Sequence, residues 1–255
     1  FAVQAPADYR ASDLRCDARG CRFTLHTPAG PREVALGMPG RFNVANALGA
    51  VAAAHGLGVD LDRIVATLQE EVRVPGRFEP VDEGQGFAVI VDYAHTPDSL
   101  ANVLAAAREL IADGEQAGAG RVMCVCGAGG DRDRGKRPLM GEVAARMADV
   151  VLVTSDNPRS EDPEQIIAQV MAGTRAVVSD RTHAGADSVE AIADRASAIV
   201  AAVSAAQPGD VVVIAGKGHE QGQELAGGVK IPFDDVTVAR EALRASLTPS
   251  AAAVR

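Results

Sequence analysis

Four short stretches collect the residues best able to bind charge. They are Asp92-Tyr93-Ala94-His95-Thr96-Pro97-Asp98, the run from Gly127 to Pro138 that carries Arg132, Ser155-Asp156-Asn157-Pro158-Arg159, and Gly216-Lys217-Gly218-His219-Glu220. A guanidinium grips a carboxylate through two parallel N–H···O bonds, so Arg132 and Arg159 suit acids, while Asp156 and Glu220 can receive an ammonium group. Together these side chains describe a pocket for a zwitterion such as an amino acid. Glycines in two of the stretches let a backbone approach a ligand closely. Gly130 to Lys136 also has the G-x-x-x-x-G-K spacing of a phosphate-cradling loop. Arg137 stands where such a loop needs Ser or Thr for Mg²⁺, and the interior is Asp-Arg-Asp-Arg, so the stretch reads as a loop presenting Arg132 to an anion. Asn43 and Asn46 share one helix face; spacing alone reads them as a cap and an incidental neighbour. On the same footing His95 is a turn histidine beside Pro97.

These stretches need a scaffold, and the chain from Phe87 onward supplies one by alternating apolar strands with helices. The strands are expected at Phe87–Val91, Arg121–Cys126, Val150–Thr154 and Val211–Ala215, with a weaker one near Ala176–Ser179. Helices are expected from near Pro97, Pro138, Pro163 and Ala186; proline is well tolerated in a first helical turn. Such alternation implies βαβ units and an α/β, doubly wound, mostly parallel sheet, in which ligands sit beyond the carboxyl ends of the strands. All four charge-binding stretches lie there. Upstream, Arg22–Thr27 reads as a strand, Arg41–His55 as a helix of small residues, Asp60–Glu70 as a helix capped by Asp60, and Phe78–Val81 as a strand. The domain boundary is placed near Glu83–Gly86, and Thr248–Arg255 reads as a frayed tail.

At 255 residues the chain can hold one large domain or two modest ones, each with a real core. No apolar run approaches the roughly 20 residues that span a bilayer, so a soluble protein is expected. The chain opens on Phe1 with no initiator Met and no leader pattern, and reads as a fragment. Its net charge of −9 argues against a nucleic-acid partner, because phosphate backbones are held by clustered Lys and Arg. Cys16, Cys21, Cys124 and Cys126 are too scattered for a disulfide framework, and a reducing cytoplasm fits them. Cys124-Val125-Cys126 is spaced more tightly than zinc knuckles and reads as buried strand thiols; no metal site is expected.

The order Gly40-Arg41-Phe42-Asn43-Val44-Ala45-Asn46, Pro75-Gly76-Arg77-Phe78-Glu79, Val91-Asp92-Tyr93-Ala94-His95-Thr96-Pro97, Gly129-Gly130-Asp131-Arg132-Asp133 and Gly216-Lys217-Gly218-His219-Glu220 resembles the Mur ligases, from about Gly40 to Leu247. Asp156-Asn157-Pro158-Arg159 followed by Glu161-Asp162-Pro163 resembles the signature of the branch that adds diaminopimelate. The resemblance implies a Rossmann-like C-terminal domain over 85–255, preceded by the tail of a P-loop-type α/β ATPase domain over 1–84. It implies that Asn43, Asn46, Arg77 and Asp92, with Tyr93 and His95 nearby, hold the nucleotide or the region around it. Arg132, Asp156, Asn157, Pro158, Arg159, Gly216 and Glu220 would form the meso-diaminopimelate site.

The implied substrates are ATP, UDP-MurNAc-L-Ala-D-Glu and meso-diaminopimelate. ATP phosphorylates the γ-carboxylate of the D-glutamate, and the diaminopimelate amine attacks the acyl phosphate, leaving an amide and phosphate. In the family the Walker loop, the Mg²⁺ ligands, a carbamylated lysine and the UDP-binding domain lie upstream of anything in this chain, which is therefore expected to be inactive alone, and also monomeric and cytoplasmic. Three rival readings remain. A lysine-adding relative should lack Arg159, since lysine has no distal carboxylate to pair with it. A folylpolyglutamate synthetase-like ligase is opposed by the Asp-Asn-Pro-Arg and Gly-Lys-Gly-His-Glu runs. A bare amino-acid-binding module would be recognised by binding without ATP.

Overall fold

A computed structural model describes residues 1–3, 5–70, 74–113, 120–179 and 185–247. They fall into two compact units, the first being for the most part Phe1–Val74 and the second the chain from Pro75 onward. The division lies ahead of the Glu83–Gly86 boundary read from the sequence, because residues just after Pro75 pair into the second unit's sheet.

The first unit is a three-stranded antiparallel sheet of β1 (Arg10–Asp17), β2 (Gly20–His26) and β3 (Arg32–Leu36), with helices α1 (Arg41–Gly56) and α2 (Leu61–Gln69). Strand alternation turns Cys21, Phe23 and Leu25 of β2 inward, where they meet Val44, Leu48 and Val51 of α1 and Leu61, Ile64 and Val65 of α2. The Asp60 carboxylate accepts a hydrogen bond from the Arg63 amide at 3.0 Å and caps α2 as its sequence predicts. Cys16 and Cys21 face each other across the β1–β2 hairpin and are joined in a disulfide. The sequence predicts none; hairpin register, which spacing does not reveal, makes the pair.

The second unit is a six-stranded sheet in the order β4-β5-β9-β6-β7-β8. Its strands are β4 (Glu79–Pro80), β5 (Ala88–Asp92), β6 (Val122–Cys126), β7 (Val150–Val153), β8 (Ser188–Ala191) and β9 (Val211–Ala215). All neighbours pair parallel except β4, which runs antiparallel to β5. The doubly wound, mostly parallel α/β sheet is therefore as expected. Helices α3 (Pro97–Asp113), α4 (Lys136–Met147) and α5 (Pro163–Ser179) cover one face, and α6 (Arg195–Ala205) and α7 (Asp235–Leu247) the other, each face closing its own apolar core. The free thiols of Cys124 and Cys126 are buried on the first of these faces. A small antiparallel hairpin, β10 (Gly222–Glu224) with β11 (Lys230–Pro232), stands apart from the main sheet.

Two sequence expectations are overturned. Ala176–Ser179 is the last turn of α5, not a strand: Val170, Gly173, Thr174 and Val177 are buried at helical spacing, and the β-branched pair Val177-Val178 is what mimics a strand. The fifth parallel strand is β8, an edge strand with no apolar run to announce it, and the helix expected from Ala186 begins at Arg195, where Asp194 caps it through the Ser197 amide at 2.8 Å. The Thr248–Arg255 tail lies outside the described residues. Among those described, no helix is long and apolar enough to cross a membrane.

Candidate amino-acid and nucleotide sites

Parallel pairing brings the carboxyl ends of β5, β9, β6, β7 and β8 to one edge, where helix N-termini and loops converge. Because β6 lies between β7 and β9, the loops after those two strands meet over the turn that follows β6. Glycine makes room for this: a Cβ on Gly127 would strike the Thr154 carbonyl and one on Gly130 the Pro158 carbonyl. The Gly130 amide instead donates to the Asn157 carbonyl at 2.8 Å.

At the meeting point sits Lys217, fully buried. Its Nζ lies 2.8 Å from Asn157 Oδ1, 3.2 Å from Glu220 Oε2 and 3.4 Å from Asp156 Oδ1, and Asn157 Nδ2 in turn donates to Glu220 Oε2 at 2.8 Å. An ammonium buried this deeply needs such partners to offset its lost hydration. Asp156 and Glu220 therefore do not stand open as a pair for a substrate ammonium, as loop chemistry alone suggests; the protein supplies one cation itself. Asp156 is buried, and Glu220 Oε1 makes no bond to a described residue. Burial alone would raise the Glu220 pKa, but the Asn157 amide and the Lys217 and Arg159 charges outweigh it and hold the carboxyl below its ordinary range. Gly216 packs against this cluster, its missing Cβ leaving room for Asp156 Oδ2, and its φ of 126° suits glycine.

Arg159 lies alongside, with its Nε donating to Glu224 Oε2 at 2.9 Å and its Nη1 to the Gly130 carbonyl at 2.8 Å. Nη2 makes no bond to a described residue. Arg159 and Glu220, with Asn157, Glu224, Lys230 and Ile231 among others, line a cleft of about 510 Å³. Arg132 flanks the same region across Gly129 but is exposed, its Nη1 donating to the Asp131 carbonyl at 3.0 Å. Beneath this loop Glu161 gathers the buried Arg137 (2.8 Å), Arg134 (3.1 Å) and the Asp131 amide (2.7 Å). Those bonds, Arg137's first, lower the Glu161 pKa to about 2. Lys136, at the end of the run with phosphate-loop spacing, donates to the His95 carbonyl at 2.8 Å.

A second cluster forms around Tyr93. The Arg77 guanidinium lies over its ring at 4.9 Å, with the His95 and His219 rings 4.7 and 5.6 Å away. Gly76 and Gly218 let these loops interlock, since a Cβ on either would enter the other's backbone or Tyr93. Asp92 accepts the Phe78 amide at 2.7 Å; burial raises its pKa, opposed by the Phe78 and Ala94 amides and the Arg77 charge. In the first unit Asn43 does not cap α1: its Nδ2 donates back to the Pro39 carbonyl at 2.8 Å, and Asn46 Nδ2 reaches Asn43 Oδ1 at 3.3 Å.

The structure thus unites Asp156, Asn157, Pro158, Arg159, Gly216 and Glu220 in one place with Arg132 at its rim, and Arg77, Asp92, Tyr93 and His95 in another, while Asn43 and Asn46 belong to the first unit. Sequence reading passed over Lys217, His219, Gln223 and Glu224 as site residues. The first two lie in a stretch already singled out, but the last two follow it with no motif to flag them. Gln223 donates to the Asp156 carbonyl at 2.7 Å.

The chain belongs to the Mur ligase family: residues 76–218 match the Mur ligase glutamate ligase domain, and residues 1–54 match the Mur ligase middle domain. Within the family it is similar to UDP-N-acetylmuramoyl-L-alanyl-D-glutamate--2,6-diaminopimelate ligases, being 49% identical to that of Synechococcus elongatus over 95% of this chain and 46% of the relative. The corresponding enzyme of Geobacillus kaustophilus is 47% identical over 96% of this chain and 47% of its own length. A solved structure of a ligase with the same name superposes with a TM-score of 0.66 at 40% identity, covering 95% of this chain and 46% of that one. The UDP-N-acetylmuramate-alanine ligase of Thermotoga maritima, 18% identical with a TM-score of 0.61 over 96% of this chain and 47% of its own, shares the fold. The chain spans about half the length of the curated relatives it matches.

Proposed function

We propose that the chain is the amino-acid-receiving half of an ATP-dependent, amide-forming ligase that adds meso-diaminopimelate to UDP-MurNAc-L-Ala-D-Glu in the cytoplasm during peptidoglycan precursor synthesis. The observation that carries the reading is the presence, on one cleft, of the Arg159 Nη2 edge and Glu220 Oε1, neither of which bonds to a described residue. One cationic and one anionic group beside each other suit an amino-acid end, and Lys217 accounts for the charge that would otherwise be surplus. Arg159 would take the carboxylate and Glu220 the ammonium of the substrate's distal centre, with Arg132 closing over it and Asp156, Asn157, Pro158 and Gly216 shaping the floor. Held in this way, the other amine is presented to the acyl phosphate as an oriented nucleophile, which is where binding energy becomes rate. Carbon–nitrogen bond formation then expels inorganic phosphate.

Arg77, Asp92, Tyr93 and His95, with Asn43 and Asn46, are proposed to serve the nucleotide; the cation-backed Tyr93 ring offers a flat face for a base. The cleft does not fit Mg²⁺, because Lys217 Nζ already occupies the place between Asp156 and Glu220 that a cation would take. The Mg²⁺ ligands of the family reaction are proposed to lie upstream of the residues in this chain, as the resemblance implies.

The test supplies the full-length ligase with ATP, UDP-MurNAc-L-Ala-D-Glu and either meso-diaminopimelate or lysine, and reads product by mass spectrometry. A diaminopimelate tripeptide is expected, with the 255-residue chain alone releasing no phosphate from ATP. Preferential lysine addition, or phosphate release by this chain alone, would overturn the reading.

A further inference from the structure

We propose that Glu224, on the β10–β11 hairpin, is the residue that positions Arg159, and that the hairpin is thereby a specificity element of the amino-acid site. The inference rests on the substrate reading given above. Arg159 has a φ of 51°, a left-handed conformation that side-chain-bearing residues adopt at a cost, so something must hold it. The hairpin does so at both backbone and side chain. The Arg159 amide donates to the Glu224 carbonyl at 3.0 Å, and its Nε to Glu224 Oε2 at 2.9 Å. With Nη1 fixed on the Gly130 carbonyl at 2.8 Å, the guanidinium plane has one orientation, and its Nη2 end is the part left for a ligand.

Glu224 also sets the neighbouring side chain. Its amide donates to Asn157 Oδ1 at 2.9 Å, the same oxygen that takes Lys217 Nζ. With Oδ1 accepting from both the Glu224 amide and Lys217 Nζ, the Asn157 side chain turns its Nδ2 to Glu220 Oε2. One residue outside the recognisable motifs therefore orients the cationic and, through Asn157, the anionic side of the site. The dependence runs both ways. A two-stranded hairpin of this length is marginal alone, and β10 is tied down by these bonds and by Gln223 to the Asp156 carbonyl at 2.7 Å and to Ser155 Oγ at 3.3 Å. With Gly222, Glu224, Lys230 and Ile231 all lining the cleft, both strands of the hairpin contribute to its wall.

The test is a double-mutant cycle in the full-length ligase with Glu224→Ala, Arg159→Ala and the pair, together with Glu224→Gln and Glu224→Asp, reading KM for each substrate and the thermal midpoint. Glu224→Ala should raise KM for meso-diaminopimelate by about tenfold and leave KM for ATP unchanged. In the Arg159→Ala background it should add less than about twofold, since a residue acting through another is silent once that other is gone. Glu224→Gln, whose amide oxygen still accepts from Nε, should stay within about threefold of wild type, and Glu224→Asp, a methylene short, should resemble alanine. Multiplicative effects in the double variant, or equal rises in KM for all substrates, would show a merely structural role and overturn the inference, as would an unchanged KM in both Glu224→Ala and Glu224→Asp. A wild-type enzyme that forms no diaminopimelate product fails differently: it removes the substrate reading, and this inference with it.

Discussion

Arg159 is the residue on which the choice between diaminopimelate and lysine should turn. Its side chain is only 20% exposed, and two of its three nitrogens are committed to the protein. A substrate carboxylate would find the remaining Nη2 already aimed, whereas lysine offers no carboxylate and leaves that cationic edge unpaired. Glu224 still neutralises the guanidinium when lysine binds, so what lysine forgoes is the charge-assisted bond at Nη2, worth about 1.5–3 kcal/mol, and discrimination of roughly ten- to a hundredfold is expected. Arg159→Ala should erase most of it by weakening diaminopimelate, and Arg159→Lys should not restore it, because one ammonium cannot serve Glu224, Gly130 and a ligand in three fixed directions. The ratio of kcat/KM for the two amino acids in wild type and both variants measures this; an unchanged ratio in Arg159→Ala would remove the side chain from substrate reading.

Among the elements, α4 and α5 carry the loops after β6 and β7 into the site, and they approach through glycine. A Cβ on Gly173 of α5 would strike the Pro138 carbonyl, and one on Gly141 of α4 the Val170 carbonyl, both rigid backbone. Alanine gains up to about 1 kcal/mol over glycine in a helix interior, but overpacking against backbone costs about 1–3 kcal/mol, so Gly173→Ala should lower the denaturation midpoint. Gly56, at the end of α1, has nothing within 4 Å of its would-be Cβ. There the propensity is unopposed, and Gly56→Ala should stabilise by about 0.5–1 kcal/mol. Urea titration of the two variants decides; a stabilised Gly173→Ala would mean the helices separate more easily than their contact implies.

Over the whole molecule, acid should unfold this protein through carboxylates that hold cations. Glu161, bonded first by Arg137, has its pKa lowered from 4.5 to about 2. In Asp210 burial acts upward, but the bonds from Arg121 prevail and the pKa is lowered. A carboxyl depressed by folding contributes stability that is complete above its unfolded value and is lost as pH falls towards its folded one. For Glu161 that window runs from 4.5 down to about 2. The urea midpoint should therefore fall steadily below about pH 4.5, and Glu161→Gln should flatten part of that fall. A variant with the wild-type pH slope would assign the acid sensitivity elsewhere.

Periodicity and punctuation in the sequence determined the parallel strands β5, β6, β7 and β9, the helices opened near Pro97, Pro138 and Pro163, and the cap at Asp60, because buried parallel strands and helix starts are local patterns that side-chain chemistry enforces. The charge-bearing stretches were legible for the same reason, and the resemblance of their ordered motifs to one family carried the site's residue types. What was decided only in three dimensions involves partners distant in the chain. Edge strand β8 has no apolar run to betray it, and its pairing with β7 exists only once the sheet is assembled. Cys16 meets Cys21 because of hairpin register, and the Pro75–Gly86 segment joins the second unit because β4 finds β5. At the site, Lys217 fills the space between the carboxylates that a sequence reader leaves for a substrate, and Glu224 turns Arg159 from a charge in a loop into an edge with a direction. Long-range electrostatics of this kind depends on which groups are buried together, and burial is a property of the fold rather than of any window of residues.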